Sequence, residues 1–187
     1  MKNTVKIIRK YFQKFPEDEK NLKLLKNQTK DCINFFDRKN FTGHVVANAL
    51  ILKENKVLTI FHNKLQMYIQ PGGHVDETDP SVIDATIREV EEETGIKDIV
   101  LDRWHKKTGI PIFIETHLIP ENKKKQEKKH YHYDFMYIFR TKTKNINLQL
   151  EEVSGFEWVD IENVLMNTPE SFIGRSLKKM FKLDILK

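Results

Sequence analysis

Residues 88–96 read REVEEETGI, setting four glutamates into five consecutive positions behind one arginine. On a helix, like charges three or four residues apart repel by about 0.2–0.5 kcal/mol per pair, so such crowding calls for a compensating charge. At about 100° per residue, Glu89, Glu92 and Glu93 share one face, Ile83, Ile87 and Val90 form another that suits packing on a sheet, and Glu91 points elsewhere. Carboxylate oxygens are the preferred ligands of hard cations such as Mg²⁺, which is usually held jointly by protein carboxylates and substrate phosphates. Arg88, one turn before Glu92, can hold a carboxylate in place through its guanidinium. Just upstream, the glycines of PGGHV let the backbone approach the acidic face closely.

Together these residues resemble the Nudix box of the Nudix hydrolases: a glycine, five residues, a glutamate, seven residues, then R-E-U-x-E-E-x-G-U, with U bulky and apolar. Arg88, Glu89, Val90, Glu92, Glu93, Gly95 and Ile96 fill the second half of that pattern. The first half departs from it. After Gly73, Asp79 stands at the glutamate position, and eight residues rather than seven separate it from Arg88, a one-residue insertion ahead of the helix. The resemblance runs more loosely from Thr42 to Leu165. It implies an α/β/α sandwich with a mixed sheet, and Mg²⁺-dependent hydrolysis (Mn²⁺ as substitute) of a pyrophosphate bond in a nucleoside diphosphate linked to another moiety. It implies Glu89, Glu92, Glu93 and the carbonyl of Gly73 as metal ligands and Arg88 as the group that orients them. The water-activating base is either a box glutamate such as Glu92 or an external one, for which Glu152, beside Glu151, is the candidate.

A second constellation is HLIPENKKKQEKKHYHYD. His130, His132 and Asp134 alternate, so a strand puts them on one face, and with His117 they form a candidate substrate-binding group. The segment is similar to one in a group of bacterial Nudix proteins that also carry PGGHVD. Lysines 123, 124, 125, 128 and 129 could steer a polyphosphate toward the site or simply be a charged loop. Tyr68, Phe113, Tyr131 and Tyr133 are candidates for stacking on a base, with packing as the ordinary alternative for aromatics in strands.

These residues need positioning elements. Val5, Ile8 and Phe12, then Leu22 and Leu25, then Ile33 and Phe36 have helical spacing, which predicts two or three short helices broken at Pro16. FTGHVVANALIL and KVLTIFH read as an antiparallel strand pair joined at KEN, QMYIQ as a short strand, and PGG as a loop. DPSVIDATIREVEEETGI reads as one helix with Asp79 as N-cap, a core stripe of Ile83, Ile87, Val90 and Thr94, and Gly95 as its stop. IVLDRWHKK, PIFIETHLI, HYHYDFMYIFRTK and FEWVDI read as strands, IENVLMN as a short helix and PESFIGRSLKKMFKLDIL as an amphipathic one. The fold class is α/β: a helical extension over 1–38 and a catalytic domain over 39–187.

At 187 residues, with 39% hydrophobic and 32% charged, the chain suits one soluble domain with extensions. No apolar run reaches the roughly 20 residues of a membrane span, and the basic N-terminus lacks the apolar core of a secretory signal, so the expected setting is the cytoplasm. The single cysteine, Cys32, excludes an internal disulfide framework. The net charge of +5 favours an anionic partner, and a small nucleotide or other diphosphate fits better than nucleic acid, since the lysines are not interleaved with an RNA-binding motif. Isopentenyl diphosphate isomerase, on the same fold, relies on a sheet cysteine that is missing here. A nucleotide-sensing domain without hydrolysis would be expected to lose box carboxylates that this chain retains. The N-terminal helices leave room for a homodimer.

Overall fold

The structure, a computed structural model, describes residues 2–30, 34–143 and 145–187. Cys32 and Ile33 lie outside the described residues. Eight strands form one mixed sheet: β1 (Gly43–Lys53), β2 (Lys56–His62), β3 (Met67–Ile69), β4 (Gly72–His74), β5 (Val100–Leu101), β6 (Phe113–Ile119), β7 (His130–Arg140) and β8 (Val153–Asp160). Helices α1 (Lys2–Lys14), α2 (Lys23–Gln28), α3 (Val82–Thr94), α4 (Arg103–Thr108), α5 (Ile161–Asn167) and α6 (Phe172–Lys182) flank it. The path β3-β2-β1-β7-β5 carries β8 on β2, β4 on β1 and β6 on β7. No helix among the described residues is long and apolar enough to cross a membrane.

The central pair β1 and β7 runs parallel from Gly43↔Tyr131 to Leu52↔Arg140. Both strands are apolar on two faces, as a sheet covered on both sides requires. Val45, Ala47, Ala49 and Ile51 with Tyr133, Phe135, Tyr137 and Phe139 pack toward α1, α2 and α3. Leu50, Leu52, Met136 and Ile138 pack toward α5 and α6. On this second face the same alternation continues outward as His44, Val46 and Asn48 on β1 and His130, His132 and Asp134 on β7. Apolar residues thus occupy the half of the face beneath the C-terminal helices, and the other half, which borders the cleft, is polar except at Val46.

The N-terminal helices are built into this core. Ile8, Tyr11, Phe15, Leu22 and Leu25 are buried in it, Tyr11 Oη accepts a hydrogen bond from Ile114 N at 3.1 Å, and Asp18 pairs with Lys179 of α6 at 2.5 Å. A 3₁₀ turn over Pro16–Lys20 marks the expected break.

Several local expectations are corrected. IVLDRWHKK is strand only over Val100–Leu101; Asp102 then caps α4 by accepting from Trp104 N, and Gly109 ends it in the left-handed region at φ 70°. PGG is not all loop, since Gly72–His74 pairs with Val46–Asn48 of β1. The N-cap of α3 is Ser81 rather than Asp79, because Asp79 is engaged elsewhere. Ile87 is 37% exposed, and Val82, Ala85 and Thr86 complete the buried stripe instead.

His105, absent from the sequence reading, is a satisfied core residue. Its Nε2 accepts from Ile138 N at 2.8 Å, so Nδ1 carries the proton it donates to Ile110 O at 2.7 Å. Burial holds its pKa down at about 4. The stability it supplies is present above its unfolded value near 6.5 and is lost as pH falls toward 4. His105→Ala is expected to cost about 2–4 kcal/mol by leaving two backbone groups unpartnered and a cavity behind, read as a lowered urea midpoint at pH 7.

Candidate active site

The acidic face of α3 reaches the cleft through a gap in the sheet. β1 pairs with β2 only at Leu52 and Lys53, and over Val46–Asn48 it pairs instead with β4. The glycines make this possible. At Gly72, φ is 155° and a Cβ would stand 2.3 Å from Ala47 O. At Gly73, a Cβ would stand 2.5 Å from the Glu89 carboxylate carbon. The backbone and that carboxylate are therefore in direct contact, and any side chain at position 73 would push the Glu89 carboxylate away.

Arg88 gathers the surrounding acids. Its Nε and Nη2 donate to the two oxygens of Asp79 at 3.1 and 2.9 Å. Nη1 donates to Glu89 at 2.9 Å and to Glu92 at 3.1 Å, and Nη2 also donates to His74 O at 2.9 Å. This bidentate grip holds the Asp79 carboxyl below its usual range and raises the guanidinium. The one-residue insertion thus leaves Asp79 able to clamp Arg88: Asp76 and Asp79 close a turn, Asp76 N donating to Asp79 Oδ2 and Asp79 N to Asp76 O.

Glu93 is only 5% exposed, because it sits beside Val90 at the inner edge of the acidic face. Its Oε2 accepts from Gly72 N at 2.9 Å. Burial, opposed by that bond and reinforced by Glu89, Glu152 and Glu92, pushes its pKa up to about 8. Burial likewise raises Glu89, against the pull of Arg88. Such crowded, partly desolvated carboxylates gain most from a hard cation, and the all-oxygen donor set, with the Gly73 backbone against Glu89, fits Mg²⁺ or Mn²⁺.

The cleft, of about 1510 Å³, is bordered by Glu89, Glu92, Glu93, Gly73 and Glu152 and by the histidine-bearing face of the sheet. Strand pairing aligns Val46 with Asp134 and Asp134 with Glu115 in one row, and His44 with His132 and His132 with His117 in the next. His117, His130, His132 and Asp134 therefore converge, with His117 Nδ1 paired to Asp134 Oδ2. Asp134 Oδ1 also accepts from Asn48 Nδ2 at 3.2 Å. The pairing with Asp134 raises the His117 pKa. Burial lowers His44, holds His74 down at about 3, with Arg38 next in effect, and holds His132 down at about 2, with His74 next.

His44 and His74 were not singled out from sequence. The signal was present in strand parity, since GHVVAN puts His44 on the same face as Val46 and Asn48. For His74, the pairing of β4 with β1 was the missing information. Lys123, Lys124 and Lys125 line the cleft, as does Tyr68. Lys128 and Lys129 are exposed outside its lining. Tyr133 is fully buried and bonded to Gln28, and Phe113 packs on Phe172, so both serve packing rather than base stacking.

Comparison with known proteins agrees with this architecture. Residues 42–180 match the family model described as NUDIX domain. A probable DHNTP pyrophosphohydrolase of Lactococcus lactis subsp. cremoris is 37% identical over 81 residues, covering 43% of this chain and 44% of that protein, so the match spans less than half of the relative's length. A NUDIX-family hydrolase from Clostridium perfringens superposes with a TM-score of 0.55 at 22% identity, over 75% of this chain and 97% of that one. The E. coli dihydroneopterin triphosphate pyrophosphohydrolase gives 0.53 at 13% identity, over 72% and 92% of the two chains. At these identities the solved structures speak for the fold, while the family model, which takes in the strand-glycine-helix arrangement built around Arg88, settles the kinship: the chain belongs to the NUDIX domain family.

Proposed function

We propose that the protein hydrolyses a pyrophosphate bond in a nucleoside diphosphate linked to another moiety. The observation that carries this is the Arg88 clamp, which brings Glu89 and Glu92 to one cleft against the Gly73 backbone. Glu89, Glu92, Glu93 and the Gly73 carbonyl would hold Mg²⁺ or Mn²⁺. Such a metal supplies charge neutralisation at the phosphoryl oxygens and acidification of the attacking water.

The chain's own groups do the rest. Arg88 fixes two carboxylates against their mutual repulsion, and Gly72 N holds Glu93. Glu92 or Glu152 takes the proton of the water; both border the cleft. Lys123, Lys124 and Lys125 draw the polyphosphate in, and His117, His130, His132 and Asp134 contact the substrate. Residues 39–187 form the catalytic unit, with 1–38 as an extension whose Ile8, Tyr11, Phe15, Leu22 and Leu25 join the core, and a cytoplasmic homodimer goes with this reading, the dimer being testable by light scattering.

Gly73→Ala tests the close approach. The added methyl meets the flexible end of Glu89, so the fold is expected to survive with a thermal midpoint near wild type, while Mg²⁺ affinity measured by calorimetry falls about tenfold or more. Unchanged Mg²⁺ binding would count against Glu89 as a ligand. The activity itself is tested with the purified protein and Mg²⁺ or Mn²⁺ against nucleoside triphosphates, dihydroneopterin triphosphate, ADP-ribose, nucleotide sugars, dinucleoside polyphosphates and capped RNA. Release of phosphate, pyrophosphate or a nucleoside monophosphate is expected from at least one class. No product from any of them with either metal would overturn the reading.

A further inference from the structure

From the cleft's second wall we infer that His44, His74 and His132 form a separate binding site for a borderline transition-metal ion, Zn²⁺ above all, distinct from the carboxylate site on α3. The three residues come from β1, β4 and β7, and each offers a ring nitrogen within 4.8 Å of the others. Their rings are in mutual contact, with centroids 5.2 Å apart for His44 and His74, 4.7 Å for His44 and His132, and 5.0 Å for His74 and His132.

Packing alone does not account for this group. His44 is 1% exposed. Its Nδ1 lies 3.5 Å from Asn40 O, which leaves Nε2 buried without a partner. Buried polar atoms are nearly always satisfied, and His44, with one ring nitrogen near a carbonyl and the other unpartnered, lies in a histidine cluster that also holds His130 stacked on it at 4.9 Å. A carbonyl on the opposite nitrogen is a common way to orient a histidine ligand. Around a tetrahedral Zn²⁺, with Zn–N of about 2.0–2.1 Å, ligand nitrogens stand about 3.4 Å apart. Closing the present spacing of up to 4.8 Å takes up to about 1.4 Å, within reach of rotation about χ2, a soft torsion in histidine.

The donor set selects the metal. The triad has no carboxylate, so a hard cation that prefers oxygen ligands gains little here. Imidazole nitrogen suits Zn²⁺, Co²⁺, Ni²⁺ and Cu²⁺, whereas carboxylate and carbonyl oxygen suit Mg²⁺. Three protein ligands on the wall of a cleft leave the fourth position for water or for an oxygen of a bound molecule. Asp134 and His117 are paired with each other beside the triad and are not needed as ligands. The site shares His132 with the group proposed to contact the substrate, so it is tested by metal binding rather than by turnover.

The test is titration of the metal-stripped full chain with Zn²⁺ by calorimetry and with Co²⁺ by visible absorption. One Zn²⁺ per chain is expected, with Co²⁺ giving the intense bands of low-coordinate nitrogen ligation. His74→Gln and His132→Gln, each checked for native circular dichroism, are expected to weaken Zn²⁺ binding by about 100-fold, while Glu92→Gln retains it. Should either histidine variant fail to fold, histidine ¹⁵N spectra of the wild type decide: the ring signals of His44, His74 and His132 are expected to shift on Zn²⁺ addition. Absence of stoichiometric Zn²⁺ uptake, unmoved ring signals, or binding lost in Glu92→Gln and kept in folded His74→Gln would overturn the inference.

Discussion

Replacing Glu92 with glutamine is expected to lower Mg²⁺-dependent turnover by about 10²–10⁴-fold, the span associated with losing a positioned acid–base group, and to leave the fold intact. The two effects separate because of where Glu92 lies. Its side chain is 56% exposed, and among the described residues its one ion pair is the i,i+4 contact with Arg88 at 3.1 Å. Such exposed helical pairs contribute about 0.3–0.5 kcal/mol, so the thermal midpoint should move by no more than a few degrees. Arg88 keeps Asp79 and Glu89 as partners, which holds the rest of the site in place. Steady-state kinetics beside a thermal melt measures both quantities on one preparation. If turnover is within twofold of wild type, the acidic face is a solvated surface at this position and Glu92 has no role in the chemistry.

For Glu93→Gln an effect on stability is expected as well, and its sign reverses with metal. In the metal-free protein, burial raises the Glu93 pKa from an ordinary 4.5 to about 8. The folded state therefore binds a proton that the unfolded state has released, and wild-type stability is lost as pH rises from about 4.5 through about 8. At 1.36 kcal/mol per pKa unit, the loss amounts to a few kcal/mol. Glutamine cannot ionise, and its amide oxygen can still accept from Gly72 N. Without metal, variant and wild type should match near pH 5, and the variant should be the more stable at pH 9. Added Mg²⁺ should stabilise the wild type in proportion to its binding and leave the variant unmoved, with turnover reduced by orders of magnitude. Parallel stability profiles for the two proteins between pH 5 and pH 9 would show that Glu93 ionises freely in the fold and carries no such cost.

Much of this protein can be read from the chain itself, and the limits of that reading have physical causes. Local patterns declare local structure. The 3.6-residue period and Gly95 mark α3, and strand alternation puts His130, His132 and Asp134 on one face. Boundaries failed where a side chain had two potential partners: Asp79 could cap a helix or clamp an arginine, and only proximity to Arg88 decided between them. IVLDRWHKK could continue as a strand until Asp102 capped a helix.

What the amino-acid order determined by itself is the helix α3, its acidic face and the family pattern they form, because helical geometry fixes which residues share a face within a single element. What only the tertiary structure decided is which elements meet. The parting of β1 from β2 lets β4 pair with β1, bringing His74 beside His44 and His132 and Gly73 against Glu89. It also decided that Glu93, on the helix's charged face by spacing, is buried. Those contacts join residues far apart in the chain, and no periodicity within one segment specifies the partner that will close over it.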